Sequence, residues 1–340
     1  MGATIASKAV GALVFLLAAA GPVRAQSNDS PRAPVAPGAQ GRPMSGLWQG
    51  GSRTARLEDG PVFRADARRV VCYTTVRDRK QRAVHDLPQS AFTVYEDGRA
   101  QPIRMFGRED APVSLGLVID NSRLMTYKRA SAVTASLALV RASKPDDEVF
   151  VVNFRNEAYL DLPAHVDFTS DIGEMEKALA RLDARGEPLI RDAVRLSIQH
   201  LVEKSRREKK VLVVITTGLD GGSLSTAEEL NRLARQSGVL IYAIGLLEHL
   251  ACRTGEARRA LEALAEATGG EAFFPKNLSE MEATWRRIAR DIREQYVIAY
   301  APSGERLDGG FRRISIQAAG PGQPLARTRS GYYASPEVAR

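Results

Sequence analysis

Asp120 and Ser122 have the types and the spacing of paired oxygen ligands. They stand in SLGLVIDNSRLM (114–125), where an apolar run ends in the aspartate, the serine follows two residues on, and a helix-like segment begins. Hard oxygen ligands of this kind suit a divalent cation such as Mg2+. Arg123 and Leu124 occupy the next two positions, and neither offers an oxygen. A guanidinium here is a fixed positive charge, able to hold Asp120 in a cation's place or to capture a partner's acid. The stretch therefore reads as a metal loop or as the remains of one.

Such a pair needs a strand to deliver it. Apolar runs at 115–119, 148–154, 211–216 and 239–245 show no alternation, as expected of strands buried on both faces of a parallel sheet. Helices with readable ends lie between them. Ser225 with Glu228 predicts a capping box, Gly238 is placed to end that helix, and Asn277 with Glu280 starts the last long one. In that helix Leu278, Met281, Trp285, Ile288, Ile292 and Tyr296 recur as one apolar stripe. The fold class is α/β, a doubly wound, mostly parallel sheet flanked by helices over roughly 112–300. Ligands of such sheets bind beyond the carboxyl ends of the strands. Three loops meet that condition: after Ile119, before the helix of RDAVRLSIQHLV (191–202), and after Ile215.

The flanks differ in character. From Phe63 to about residue 108, VVCYTTV, FTVYEDG and QPIRMF read as short strands with tight turns. They imply a small β-sandwich-like module, too small to be stable without packing on its neighbour. Residues 301–336 alternate again in FRRISIQ and RTRSGYYA and read as a closing β extension. Residues 26–62 are rich in Pro, Gly, Ser and Arg without apolar periodicity, the composition of a flexible linker. Residues 1–25 place Lys8 before an apolar run and Val23 and Ala25 before Gln26, the pattern of a secretory signal peptide. That run is shorter than the roughly 20 residues a membrane span needs, and no later segment is long and apolar enough to be one.

The 340 residues carry a formal charge of +8. Losing residues 1–25 would remove Lys8 and Arg24 and no acid. Acids are interleaved with the bases in KSRREKK and WRRIARDIREQY, so the excess reads as solvated helix faces and not as a nucleic-acid surface. The two cysteines, Cys72 and Cys252, allow one disulfide but form no framework.

The strand ending in DNSRLM, the loop RGEPLIRDAV, the run VLVVITTGLDGGS and the strand VLIYAIGL follow in the order found in von Willebrand factor A domains, which this chain resembles. LPQSAFTVYEDG, ALAEATGGEAFFP, REQYVIAYAP and RTRSGYYAS look like a secreted bacterial subfamily of A-domain-related proteins. The resemblance implies an adhesion-type site with Asp-x-Ser-x-Ser, a threonine from a second loop and an aspartate from a third, holding Mg2+. Mapped onto this chain, Asp120 and Ser122 remain, Leu124 replaces the second serine, Pro188 falls at the threonine and Thr217 at the aspartate. Glu187 and Asp220 stand nearby as candidate replacement ligands. With two of five ligand positions kept, no metal is expected to bind. Asn121, Arg123 and Thr217 are then the expected partner-binding edge, toward an unidentified envelope or extracellular protein.

Enzyme chemistry finds little footing. His85, His165, His200 and His249 lack the companions of a zinc centre, and there is no G-x-S-x-G elbow and no G-x-G-x-x-G after the first strand. The remaining alternative is a scaffold in an envelope assembly whose ligand-binding edge has been lost.

Overall fold

The computed structural model describes residues 69–108, 110–181, 185–247, 253–304 and 308–334. The expected signal peptide and linker, His249, Cys252 and the last residues of the β extension lie outside these. In chain order come β1 (Val70–Arg77), β2 (Phe92–Glu96), β3 (Arg99–Gln101), β4 (Ile103–Arg108), β5 (Val113–Asp120), α1 (Arg129–Arg141), β6 (Glu148–Arg155) and β7 (Glu157–Leu160). There follow α2 (Ile172–Ala180), α3 (Ile190–Lys204), β8 (Lys209–Thr216), α4 (Ala227–Ser237), β9 (Leu240–Gly245), α5 (Thr254–Thr268) and β10 (Ala272–Phe273). The described chain closes with α6 (Leu278–Glu294), β11 (Tyr296–Tyr300), β12 (Phe311–Ala318), β13 (Leu325–Arg327) and β14 (Gly331–Tyr333).

The central sheet has the order β10-β9-β8-β5-β6-β7. Its pairings are parallel except that of β6 with β7. Every residue of β5 is buried, because alternate side chains enter two separate cores. Leu115, Leu117 and Ile119 join α1, α2 and α6 on one face. Val118, with Phe150, Leu212 and Val214 from neighbouring strands, meets α3, α4 and α5 on the other. Consecutive apolar residues are thus used on both faces, which is why these strands show no alternation. The chain leaves β5 toward one face and β8 toward the other, so the two adjacent strands open a crevice at their carboxyl ends.

The helix ends follow local chemistry, with two corrections. The capping box of α4 is Thr226 with Glu229, one residue beyond the expected Ser225 and Glu228, and each side chain bonds the other's backbone. Gly238 ends the helix in the left-handed conformation. The stripe of α6 buries Met281, Trp285, Ile288 and Ile292, but Leu278 is 61% exposed. Tyr296 lies beyond the helix, in β11. There its ring packs on Phe92 and Phe106 with centroids 4.9 and 5.7 Å away.

β11 falls inside the expected 112–300 span, yet it pairs with β1 and β4 and not with the central sheet. Two four-stranded sheets, β13-β1-β11-β4 and β14-β12-β2-β3, combine strands from both flanks of the α/β segment. They share one core built on Cys72, Phe92, Val94, Ile298, Tyr300 and Ile314. Burial of Cys72 raises its thiol pKa to about 11. Among the described residues no helix is long and apolar enough to cross a membrane.

A charged seam joins this β unit to the α/β segment. Asp291 of α6 receives Arg77 from β1 and Arg327 from β13. Arg327 also reaches Glu271, which pairs with Arg287 at 2.6 Å. Lys209, 3% exposed, donates to the carbonyl of Ile292 and lies 4.9 Å from the Tyr73 ring centroid.

Candidate functional site

The carboxyl ends of β5 and β8 bring the three expected loops together through backbone bonds. Arg123 N donates to Gly186 O and Arg185 N to Asn121 O, each at 2.9 Å. Gly221 N donates to Pro188 O at 2.6 Å. Gly186 makes the first contact sterically feasible: its φ is +75°, and a Cβ there would lie 2.7 Å from the Asn156 side-chain oxygen. The same Asn156 oxygen accepts from Glu187 N at 2.9 Å.

Asp120 sits at the centre, 2% exposed. Oδ1 of its carboxylate accepts from Ser122 N at 3.0 Å. Oδ2 accepts from Thr216 Oγ1 at 2.9 Å, Thr217 N at 3.2 Å and Thr217 Oγ1 at 3.3 Å. The Ser122 hydroxyl is buried without a directed hydrogen bond, although its proximity helps to hold Asp120 charged. Burial raises the Asp120 pKa, and the donors from Ser122, Thr217 and Thr216 only partly offset that.

Arg123 does not hold Asp120. Its guanidinium turns outward and pairs with Glu187, Nε to Oε1 at 2.7 Å and a second nitrogen to Oε2 at 3.4 Å. Hydrogen bonding and charge from Glu187 raise the Arg123 pKa further. Glu187 is therefore a partner of Arg123 in this arrangement, not a ligand beside Asp120. Asp220 is also engaged. It accepts from Ser223 Oγ and from the amides of Ser223 and Gly222, and it pairs with Arg191 at 2.8 Å.

Leu124 explains how the loops hold together. It packs, with Phe274, on a small apolar cluster of Leu219, Leu247 and Ala257. These residues come from α5 and from the segments after β5, β8, β9 and β10, so hydrocarbon ties the first of the three loops to the third. Pro188 is buried and contributes only its carbonyl. Among the described residues, no group of three or more His, Cys, Asp or Glu side chains could hold a metal ion. Both oxygens of Asp120 accept from protein donors, and Leu124 and Pro188 offer no side-chain oxygen.

Sequence reasoning missed three residues here. Thr216 makes the shortest bond to Oδ2 of Asp120, and the Thr-Thr pair ahead of Gly218 is the only visible hint. Asp192 braces the third loop by accepting from Leu224 N at 2.8 Å and Ser225 N at 2.9 Å. Burial opposes its charge, but bonds from Ser225 and Leu224 and the charge of Arg191 lower its pKa overall. Asn156 carries no sequence signal at all. His200 packs against Phe150 and Phe168 and contacts Asp167 O at 2.8 Å, a core role.

Residues 115–221 match the family model of the von Willebrand factor type A domain. The chain is similar to the vWF domain of the type V pili tip protein Mfa5 from Porphyromonas gingivalis, at 13% identity and a TM-score of 0.45, over 54% of this chain and 95% of that one. It is similar to a von Willebrand factor type A protein from Catenulispora acidiphila, at 13% identity and a TM-score of 0.45, over 80% and 75% of the two chains. An aerotolerance-related membrane protein from Bacteroides fragilis aligns at 18% identity and a TM-score of 0.42, over 53% of this chain and 98% of that one. No curated protein matches the sequence.

Proposed function

We propose that the chain is an exported, non-enzymatic protein-interaction module of the von Willebrand factor type A family, whose model matches residues 115–221, and that its partner edge works without a metal. Domains of this family commonly serve protein–protein interaction. The observation that carries the reading is the Asp120 carboxylate, whose oxygens accept from Ser122, Thr216 and Thr217. A carboxylate already satisfied by protein donors has no need of a cation to be stable. Arg123 and Glu187 remain exposed on the edge, with side chains 62% and 49% accessible, and Asn121 and Thr217 line its floor. Export rests on residues 1–25, with Lys8, the apolar run and Ala25.

Calorimetric titration of the full chain with Mg2+ and Mn2+ tests metal independence. No saturable heat is expected, and a micromolar site abolished by Asp120→Ala would defeat the reading. Capture of envelope proteins, repeated with chelator, tests the edge. The recovered set should survive chelation and be lost on Arg123→Glu, which reverses the charge of the exposed side chain on that edge. Recovery unchanged by that substitution favours a scaffold that binds through its β sheets.

A further inference from the structure

Helix α1 carries small residues where it faces α6. Ser131, Thr134, Ala135 and Ala138 recur at three- and four-residue steps and so share one stripe. Opposite them α6 presents Leu278, Met281 and Trp285 at similar steps. Small side chains facing large ones leave a groove of about 400 Å3 between the two helices. Ala135, Leu139, Met281 and Trp285 form its floor, and all four are buried. The volume lies within the range of small-molecule sites, roughly 300–1,000 Å3. On its rim Glu282 pairs with Arg286 at 3.6 Å, so this part of the groove offers a ligand little but hydrocarbon.

The groove continues past Ser131, Leu278 and Met281 into a second hollow of about 200 Å3 at the start of α6. Its chemistry changes there, because Lys128, Lys276 and Asn277 join the lining and no acid does. Lys128 Nζ is committed to the carbonyl of Leu246 at 2.5 Å. Lys276 is exposed. The nearest acid to it in sequence, Glu280, accepts from the Lys276 backbone amide and from the Asn277 side chain. Tyr127 and Leu278, 93% and 61% exposed, border the same hollow, and large apolar groups left together in water mark a contact surface.

We propose that this groove binds a single-chain fatty acid, with its carboxylate on Lys276 and its chain laid along Met281 and over the Trp285 ring. An apolar trough with one cationic end fixes both the class of ligand and its direction. Trp285 stands seven residues beyond Leu278, about 10 Å along the helix, which a chain of about twelve carbons covers. The site does not depend on how the partner edge works.

Calorimetric titration of the full chain with sodium laurate, kept below its micellar concentration, tests this and should show one saturable site. Each methylene removed from the chain should weaken binding about three- to fourfold. Lys276→Glu should weaken laurate about fivefold and leave monolaurin, its uncharged glyceryl ester, unchanged. Ala138→Phe fills the groove from its exposed side and should abolish binding of both. The chain has two tryptophans, so in a Trp48→Phe background all indole emission comes from Trp285. Undecanoate brominated at its terminal carbon should quench that emission saturably, and plain undecanoate should not. Absence of saturable heat, binding unmoved by Ala138→Phe, or emission untouched by the bromine would overturn the proposal. So would equal weakening of laurate and monolaurin by Lys276→Glu, which would take the carboxylate away from Lys276. If the chain sediments as a dimer that Ala138→Phe disperses, the groove is covered by a second copy and the proposal falls. Circular dichroism checks the fold of Ala138→Phe; should that variant not fold, the exposed Lys276→Glu and the bromine quenching still decide.

Discussion

Thr217 donates both its amide and its hydroxyl to one oxygen of Asp120, at 3.2 and 3.3 Å, across the crevice between β5 and β8. At the position where the family resemblance calls for a metal-binding acid, this chain has a hydrogen-bond donor to the first acid. The pair links two adjacent strands directly.

Asp120→Asn should therefore destabilise the protein despite its near-identical shape. The amide group would set donors against Thr216, Thr217 or Ser122, leaving at least one buried group unsatisfied at about 1–3 kcal/mol. Urea denaturation measures this, and an unchanged midpoint would show that the donors have other partners.

Restoring oxygens should restore a cation site. Leu124→Ser, Pro188→Thr and Thr217→Asp together supply a hydroxyl at each lost neutral position and a second carboxylate, the hard ligand set that Mg2+ takes. Calorimetry is expected to show divalent-cation binding in the triple variant and none in the unaltered chain. Leu124→Ser by itself should only loosen the cluster with Leu219 and Leu247 and lower the melting temperature.

Asp291 is the joint of the seam between the α/β segment and the β unit. At 4% exposure it answers both Arg77 and Arg327. Asp291→Ala leaves two guanidinium groups without that carboxylate, a loss of about 3–5 kcal/mol when a buried pair is broken from one side. Differential scanning calorimetry should show a lower or split transition, because β1 and β13 lose their hold on α6.

Lys209 lies on the same seam, facing Arg293, Asp110 and Asp291 and covered by Tyr73. Burial, with the charge of Arg293, lowers its pKa to about 7 from an ordinary 10.5. The folded protein thus holds this proton less tightly than the unfolded chain. The penalty is fully present below pH 7 and fades as pH rises from 7 toward 10.5. Lys209→Met should raise the melting temperature by an increment that is largest at or below pH 7 and shrinks in alkaline buffer. An increment that does not change between pH 6.5 and 9.5 would contradict this; both pH values are about those bracketing the titration.

The capping chemistry of Asn277 and Gly238 and the apolar runs of β5, β6, β8 and β9 were legible because they depend on neighbours in sequence. The exact capping pair of α4 was not, since Ser225 and Thr226 both carry a suitable hydroxyl and only the backbone geometry chooses Thr226. Tyr296 illustrates the limit of periodicity. Its spacing continues the α6 stripe, but Gln295 turns the chain extended, and the ring enters a different core.

What the residues decided by themselves is the parallel sheet, the placement of Asp120 and Ser122 at its mouth, and the absence of oxygens at Leu124 and Pro188. Short-range pattern and side-chain chemistry are enough for each of these. Tertiary structure alone decided that strands from both flanks share one core, that Thr216 and Thr217 satisfy Asp120, and that Arg123 turns to Glu187. Those outcomes depend on pairing residues 64 to 97 positions apart in the site and more than 200 apart in the β unit, and no local preference encodes such a meeting. It is set when burial of the apolar faces fixes the strand order, and the polar side chains then bond to whatever that order brings within reach.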